Sequence, residues 1–218
     1  LDDELKSGKK IIDLATEHSE LIQPAISCHA PYTASDELII KGKELAKKNN
    51  ILFHIHVSET RKEIFDSLKQ KKKRPIEHLN DLNVLNEKTV LAHASWVTKR
   101  EIKYVGKKGA VISHNPVSNL KLATGGIAPI KEYDTAGANV TLGTDGAASN
   151  NTLNMFETMK FASLLQKHKY WDANAIPAQR ILDYATINGS KALNVPGSIK
   201  VGKKADIIII KKTPNMLP

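Results

Sequence analysis

The stretch Val-Thr-Leu-Gly-Thr-Asp-Gly-Ala-Ala-Ser-Asn-Asn, residues 140–151, decides how the rest of the sequence is interpreted. Its first three residues are β-branched or apolar and predict a buried strand. Asp145 follows between Gly143 and Gly146, which are expected to let the backbone turn sharply. A carboxylate in such a place is costly to desolvate unless a buried cation, a helix N-terminus or a metal ion faces it. The stretch therefore predicts a functional site around Asp145.

Four further segments resemble this strand in being short and largely apolar, and segments with helical patterning separate them. The five predicted strands are residues 24–27, 51–57, 90–92, 110–113 and 140–142. Strands that alternate with helices favour βαβ units, in which the strands of the sheet run parallel. The sequence thus predicts an α/β fold with a parallel sheet.

Helix start signals lie between and after the predicted strands. Each is a side chain that can cap a first turn or a proline that suits its first position. The predicted starts are Ser35, Thr60, Pro75, Thr98, Thr152 and Pro177. The long helix after Thr152 is expected to turn its apolar side chains to the core. These are Leu153, Phe156, Met159, Leu164 and Leu165.

The pattern changes close to the C-terminus. Residues 197–210 predict a short strand, a turn and a strongly β-prone strand instead of another strand–helix unit. We therefore place a domain boundary near Val195, which divides the chain into residues 1–195 and residues 196–218.

Composition restricts the class of protein. The 218 residues are 41% hydrophobic and 25% charged, as in ordinary globular proteins. A net charge of +9 makes nucleic-acid binding worth weighing. However, the densest basic run, residues 71–74, has no interleaved aromatic residues, and aromatics are only 5% overall. A lysine-rich solvated exterior is therefore favoured.

Membrane insertion and export are also disfavoured. No run approaches the ~18 apolar residues of a membrane span, and no signal peptide is visible. The single cysteine, Cys28, excludes an internal disulfide and fits a reducing compartment, so a cytoplasmic location is expected. The first residue is Leu1 instead of methionine, which indicates a cut or incomplete N-terminus.

Residues able to bind metals or transfer protons recur at the carboxyl ends of the predicted strands. A single strand-end histidine is usually a polar residue with a satisfied hydrogen bond. In parallel β/α folds, however, these ends meet at the edge where active sites are built. The convergence of five strands therefore predicts one shared site. Its candidates are His29, His54, His56, Glu59, His93, His114, Asn115 and Asp145.

The chemistry of this set favours a metal. Histidines with one aspartate suit Zn²⁺ or Fe²⁺. His54 and His56 point to one face of a strand and could bind the metal together, or His56 alone is the ligand with His54 one layer deeper. Glu59, just beyond the strand, can act as a proton shuttle. A Ser-His-Asp triad is the weaker interpretation, because no Gly-x-Ser-x-Gly elbow is present. The histidines of helical stretches, His18 and His78, are expected at the surface.

Four blocks of sequence resemble the amidohydrolase superfamily. They are IHVSET (55–60), LAH (91–93), SHNPVSNLKL (113–122) and LGTDGAASN (142–150). Within the superfamily they are most similar to the branch of 5-methylthioadenosine/S-adenosylhomocysteine deaminases, which includes 5′-deoxyadenosine deaminases. The resemblance runs from about residue 27 to residue 210.

The resemblance implies a TIM-type (β/α)8 barrel, a small β-sandwich and one divalent metal, Zn²⁺ or alternatively Fe²⁺. It implies that His56 and Asp145 bind the metal and that Glu59 is the general acid/base. His93 would help to orient the attacking water, and Asp145 would also accept a proton. The substrate would contact His29, Glu59 and Asp145. His114 would lie near the site without being a ligand.

One part of the family's pattern is missing. Its members carry a His-x-His pair at the end of the first strand, whereas the one such pair here, residues 54–56, matches the fifth strand. The five predicted strands accordingly match strands 4–8. We expect residues 1–195 to be the C-terminal part of the barrel and residues 196–218 to begin the return into the sandwich. The complete enzyme would have about 400 residues, and this chain alone would be inactive.

The expected reaction is hydrolytic deamination of an adenosine-type nucleoside to the inosine-type product and ammonia. The candidate substrates are 5-methylthioadenosine, S-adenosylhomocysteine, 5′-deoxyadenosine and adenosine. The alternatives are a guanine or cytosine deaminase, a triazine-type hydrolase, a barrel that has lost catalysis and a basic nucleic-acid-binding α/β protein. The expected partner is a small nucleoside, with neither nucleic acid nor a membrane. The sequence leaves open whether the protein forms a homo-oligomer.

Overall fold

A five-stranded parallel sheet forms the centre of the fold. The computed structural model describes residues 2–17 and 22–211, and they adopt an α/β fold. Neighbouring strands pair in the order of the sequence, and every pair is parallel. The five predicted strands are confirmed, each to within one residue at either end. They are β1 (Ala25–Cys28), β2 (Leu52–Val57), β3 (Thr89–His93), β4 (Val111–His114) and β5 (Asn139–Leu142).

Helices precede, connect and follow the strands. The first of them, α1, is not among the helices predicted from the sequence. Within the described residues, no helix has both the length and the apolarity that crossing a lipid bilayer requires. The helices are α1 (Asp2–Glu17), α2 (Asp36–Lys48), α3 (Arg61–Lys71), α4 (Pro75–Asp81), α5 (Lys99–Lys108), α6 (Pro116–Lys121), α7 (Ile130–Thr135), α8 (Ala147–Asn150), α9 (Met155–Tyr170), α10 (Ala178–Ala185) and α11 (Ile187–Leu193).

Side-chain caps set the starts of several helices where the sequence predicted them. Ser35 and Thr60 each accept a hydrogen bond, at 3.2 Å, from the main-chain N–H three residues further on. Thr98 and Glu101 form a reciprocal capping box, and Pro75 occupies the first position of α4. Each side-chain cap contributes about 1 kcal/mol to helix stability. The connections that follow β1, β2 and β3 are therefore anchored by local sequence.

One face of the sheet is buried against helices, and the other face is partly exposed. In β2, Phe53, Ile55 and Val57 are 0% exposed, whereas the residues that alternate with them are partly exposed. A parallel sheet is normally covered on both faces. His54 and His56 belong to the alternate set, so they lie on the face that the described residues leave uncovered.

Helix α9 begins two residues later than predicted. Asn154, and not Thr152, is its cap, because Asn154 Oδ1 accepts hydrogen bonds from two main-chain N–H groups of the first turn. The buried side chains of α9 are Thr158, Ala162 and Gln166, which recur every four residues. The helix therefore presents small and polar side chains to the interior.

The prediction that the large apolar residues of α9 face the core was wrong for most of them. Leu153, Phe156 and Leu164 are 67%, 54% and 50% exposed, while Met159 packs against the core. Gln166, on the buried face, donates a 3.0 Å hydrogen bond from Nε2 to the main-chain carbonyl of Ala128. The face of α9 that packs against α6, α10 and β5 is therefore the one that carries Thr158, Ala162 and Gln166, and the larger apolar side chains turn away from it.

The strands predicted after residue 196 are also absent. Residues 201–203 form a turn, but no strand is assigned between residue 198 and residue 211. The β-prone run Ile207–Ile210 is between 51% and 96% exposed. A strand is stable only beside a pairing partner, and the described residues provide none here. The remaining residues, 212–218, lie outside the described ranges.

His78 is buried, contrary to its expected position at the surface. It is only 8% exposed. Its Nε2 lies 2.8 Å from Asp36 Oδ1 and 3.1 Å from Lys71 Nζ. Polar groups from α2 and α3 therefore offset the desolvation cost of burying the imidazole of His78, which α4 carries. His18 lies outside the described residues.

Candidate active site

Predicted site residues from three strands meet at the carboxyl edge of the sheet. The ring centroid of His56 lies 5.3 Å from that of His29 and 5.5 Å from that of His93. His93 Nε2 is 3.8 Å from Glu59 Oε2. Burial lowers the pKa of His93, although the carboxylates of Glu59 and Asp145 act in the opposite direction. Acid–base groups and imidazoles thus share one small region.

An unusual backbone conformation ends β3 and orients His93. His93 pairs with Val57, and strand alternation alone would turn both side chains towards the helices. His93 and Ala94 instead have left-handed φ angles of 69° and 44°, and the ring of His93 stacks on that of His56. Non-glycine residues with positive φ are uncommon and concentrate at functional sites.

The tautomer of His56 follows from its hydrogen bonds. Its Nδ1 lies 2.7 Å from the carbonyl oxygen of His29, which also accepts the main-chain N–H of His56 at 3.0 Å. A carbonyl can only accept, so Nδ1 carries the proton and Nε2 keeps a free lone pair. Histidines that bind metals commonly have their other nitrogen oriented in this way. His56 is therefore prepared to bind a metal through Nε2.

The backbone that carries Glu59 is tied to the first turn of α3. The buried carboxylate of Glu63 accepts the main-chain N–H of Ser58 at 2.7 Å and that of Glu59 at 2.8 Å. Burial raises the pKa of Glu63, although these hydrogen bonds act in the opposite direction. The sequence analysis did not identify Glu63. The capping-box pattern Thr60-x-x-Glu63 could have indicated it.

Both carboxylate oxygens of Asp145 are held by the protein. Gly146 N–H donates to Oδ1 at 2.8 Å, and Ser118 Oγ donates to Oδ2 at 2.6 Å. Burial raises the pKa of Asp145, but hydrogen bonds from Ser118, Gly146 and Ser149 outweigh burial and leave the pKa below its usual value. Asp145 is therefore ionised at neutral pH and available as a metal ligand or proton acceptor.

The sharp turn after β5 is made by Asp145 itself and not by the flanking glycines. Asp145 has a φ of 61°, while Gly146 has an ordinary φ of −67°. Gly143 is required for a different reason, since a Cβ there would lie 2.3 Å from Asn115 Oδ1 and 2.7 Å from Ser113 Oγ. The role expected of the glycines is thus corrected to close packing at Gly143.

Two of the strand-end histidines, His54 and His114, are kept neutral by burial. His54 lies one layer below His56, with ring centroids 5.4 Å apart, and its Nδ1 is 3.4 Å from Ser27 Oγ. Burial, with a smaller contribution from nearby histidines, lowers the pKa of His54 to about 4. His114 is 1% exposed, and burial lowers its pKa to about 3. Neither ring nitrogen of His114 has a hydrogen-bond partner among the described residues.

His29 borders the site on the side of β1. Its Nδ1 lies 2.8 Å from Thr33 Oγ1, and its ring meets that of Tyr32 edge to face at 5.9 Å. Tyr32 is 56% exposed. His29 and Tyr32 thus form a polar and aromatic rim where a ligand could be held.

The described residues do not form a complete metal site by themselves. No group of three His, Cys, Asp or Glu residues within residues 2–17 and 22–211 is arranged to hold a metal ion. A cavity of about 1050 Å³ lies at the opposite, amino-terminal end of the strands, where Ala25, Leu52 and Asn139 line it. It is therefore distinct from the strand-end cluster.

Comparison with known proteins gives consistent matches. A profile of the Amidohydrolase family matches residues 2–218. The 5′-deoxyadenosine deaminase of Methanosphaera stadtmanae is 45% identical over 218 residues, which cover 99% of this chain and 51% of that protein. The 5-methylthioadenosine/S-adenosylhomocysteine deaminase of Thermoanaerobacter pseudethanolicus is 46% identical over 192 residues, which cover 87% of this chain and 44% of that protein. The chain thus spans about half the length of the curated relatives it matches.

A solved structure is similar in three dimensions. It is a crystal structure described as an adenosine deaminase from Xanthomonas campestris with bound zinc. The TM-score is 0.88 at 36% sequence identity, over 93% of this chain and 46% of that one. The parallel sheet and its helices therefore correspond to about half of that larger structure.

Replacing Glu63 by alanine in the full-length protein is expected to speed amide hydrogen exchange at Ser58 and Glu59 by about tenfold or more. Each hydrogen bond to a carboxylate is worth about 1.5–3 kcal/mol, and 1.4 kcal/mol corresponds to a factor of ten. The matched control is Glu44→Ala, at an exposed position of α2. Unchanged exchange at both amides in Glu63→Ala would show that Glu63 does not hold this turn.

Proposed function

We propose that this chain, which belongs to the amidohydrolase family, is part of a metal-dependent enzyme that deaminates adenosine-type nucleosides by hydrolysis. The candidate substrates are 5-methylthioadenosine, S-adenosylhomocysteine, 5′-deoxyadenosine and adenosine. The observation that carries the proposal is the meeting of His56, Glu59 and His93 at one sheet edge, with His56 Nε2 left free. The names of the similar proteins support the choice of reaction.

We further propose that the five strands are strands 4–8 of a (β/α)8 barrel. Strict pairing in sequence order supports this, because a doubly wound sheet would reverse its strand order. The uncovered sheet face supports it as well, since closure by three more strands would cover it. Residues 1–195 would then belong to the barrel. Residues 196–218 would begin a β-sandwich, in which the exposed run Ile207–Ile210 finds a pairing partner.

The residues present fit a divalent metal. His56 offers Nε2, and Asp145 offers an ionised carboxylate, a nitrogen and oxygen donor set that suits Zn²⁺ and also Fe²⁺. We propose Zn²⁺, which is present in the similar deaminase structure. The remaining ligands would come from the part of the enzyme that lies outside this sequence. When bound, the metal would acidify a water molecule and make it nucleophilic at neutral pH.

The side chains of this chain would then move the protons. His93 and Asp145 would orient the water that attacks C6 of the adenine ring, and Asp145 would accept the proton that this water releases. Glu59, whose side chain is 20% exposed and lies beside His93, would protonate the adjacent ring nitrogen. Glu59 would then help to deliver a proton to the amino group, which leaves as ammonia. His29 would contact the substrate from the rim.

Ammonia release by the metal-loaded, full-length enzyme tests the proposed reaction. We expect kcat/KM for the best of the four adenosine-type nucleosides to exceed that for guanine, cytosine or a triazine by about 100-fold or more. A substrate that does not match the site leaves some of the site's polar groups without hydrogen-bond partners, and this lowers kcat/KM by about that factor or more. Highest activity with guanine, cytosine or a triazine would identify a different amidohydrolase.

Replacing Glu59 by glutamine is expected to lower kcat roughly 10²- to 10⁴-fold, because a positioned general acid/base contributes about that much. The metal content, measured by elemental analysis, should not change, since Glu59 is not proposed as a ligand. Glu44→Gln, on the exposed face of α2, is the matched control. Near-wild-type turnover in Glu59→Gln would remove Glu59 from the mechanism.

A further inference from the structure

Helix α6 carries two adjacent side chains that reach two different members of the site. The helix follows β4, which lies between β3 and β5 in the sheet. Ser118 Oγ donates a 2.6 Å hydrogen bond to Asp145 Oδ2, and Asn119 Nδ2 donates a 3.2 Å hydrogen bond to His93 Nδ1. Ser118 is 0% exposed and Asn119 is 6% exposed. One short helix thus holds site residues that come from the strands on both sides of it.

The contact with Asn119 sets the tautomer of His93. An amide nitrogen can only donate, so His93 Nδ1 accepts and the neutral ring carries its proton on Nε2. Nε2 is the atom that lies 3.8 Å from Glu59 Oε2. Thr124 holds the amide in this orientation. Its hydroxyl donates to the main-chain carbonyl of Asn119 at 3.4 Å and accepts from the side-chain Nδ2 of Asn119 at 3.2 Å.

The contact with Ser118 holds the plane of the Asp145 carboxylate. Oδ1 already accepts the N–H of Gly146, so the Ser118 hydroxyl on Oδ2 removes the remaining rotational freedom. This contact matters because Asp145, with a positive φ of 61°, lies in the turn after β5 and not in the strand itself. The pairing of the strands therefore does not set the direction of its side chain. A carboxylate with both oxygens engaged keeps its remaining lone pairs in fixed directions.

The burial of Asn119 is costly, and packing alone does not explain it. Asn119 Oδ1 is buried without a hydrogen-bond partner among the described residues. Such an atom destabilises the folded state, and a leucine of similar volume would avoid that cost. The asparagine is therefore explained by what its Nδ2 does at His93.

We propose that Ser118 and Asn119 form a positioning pair that presents the Asp145 carboxylate and the His93 Nε2–H to the reacting water. The proposal rests on the proposed deaminase function, and it assigns a role to a sequence block that the metal ligands and acid–base groups leave unexplained. Neither residue touches the reacting atoms. Both act through the residues that they orient.

Substitution of Asn119 tests the His93 half of the pair. Asn119→Asp replaces the donor with an acceptor, so the ring proton should move to Nδ1. ¹⁵N NMR of the full-length enzyme should show His93 protonated at Nε2 in the wild type and at Nδ1 in the variant. We expect kcat to fall roughly 10- to 100-fold, as for other partners that orient site residues, with KM changed less than about threefold. Asn174→Asp, at an exposed position, controls for the added charge.

Substitution of Ser118 tests the Asp145 half. Ser118→Ala should lower kcat and weaken metal binding, measured by competition with a chelator, each roughly 10-fold or more. Ser118→Thr retains the hydroxyl and should restore most of both values. A loss that threonine does not rescue would indicate a packing role and overturn this half of the proposal.

The outcomes separate this inference from the function on which it rests. A wild-type enzyme that deaminates nucleosides, with His93 protonated at Nδ1 and kcat unchanged in Asn119→Asp, overturns the positioning pair and leaves the function standing. A wild-type protein that deaminates no nucleoside overturns the function. The NMR measurement and the chelator competition then still decide whether the two contacts exist.

Discussion

The carbonyl oxygen of His29 accepts two hydrogen bonds from His56, one from its main-chain N–H and one from Nδ1. The first bond continues the pairing of β1 with β2 past the end of β1. The second sets the tautomer that leaves His56 Nε2 free. One carbonyl oxygen therefore both extends the strand pairing and orients the imidazole of His56. The other site residues gather around this point, because five strands that pair in order and in parallel bring their carboxyl ends to one edge.

At that edge, three residues with positive φ angles turn the chain, so that side chains point towards the site and not where strand alternation would direct them. Ser58, His93 and Asp145 have φ angles of 52°, 69° and 61°. Each costs of order 1–3 kcal/mol, which the contacts of the surrounding structure must offset. Hydrogen bonds hold two of these turns, because Glu63 accepts the main-chain N–H of Ser58 and the Ser118 hydroxyl donates to the carboxylate of Asp145. The site is thus built from strained turns that buried polar side chains hold in place.

The sequence predicted the strands well, because burial on a sheet requires apolar and β-branched residues whatever the tertiary context. The sequence-based prediction failed where the structure of a segment depends on contacts with another segment. The face that α9 buries carries Thr158, Ala162 and Gln166, which the apolar pattern does not mark. The run Ile207–Ile210 can become a strand only beside another strand. The strand-end residues were predictable from their position and chemistry. Ser118 and Asn119 were not identified, because their contacts with Asp145 and His93 join side chains that lie 27 and 26 residues apart in the sequence. Glu63 was not identified either, although the pattern Thr60-x-x-Glu63 could have indicated it.

The proposed function requires this sheet edge to hold a divalent metal through His56 Nε2 and Asp145. Anomalous X-ray diffraction at the zinc absorption edge, from crystals of the full-length enzyme grown with zinc, tests it most directly. We expect one strong peak within about 2.2 Å of both His56 Nε2 and an Asp145 carboxylate oxygen. A peak beside His56 Nδ1, or no peak at this edge of the sheet while zinc binds elsewhere, would contradict it.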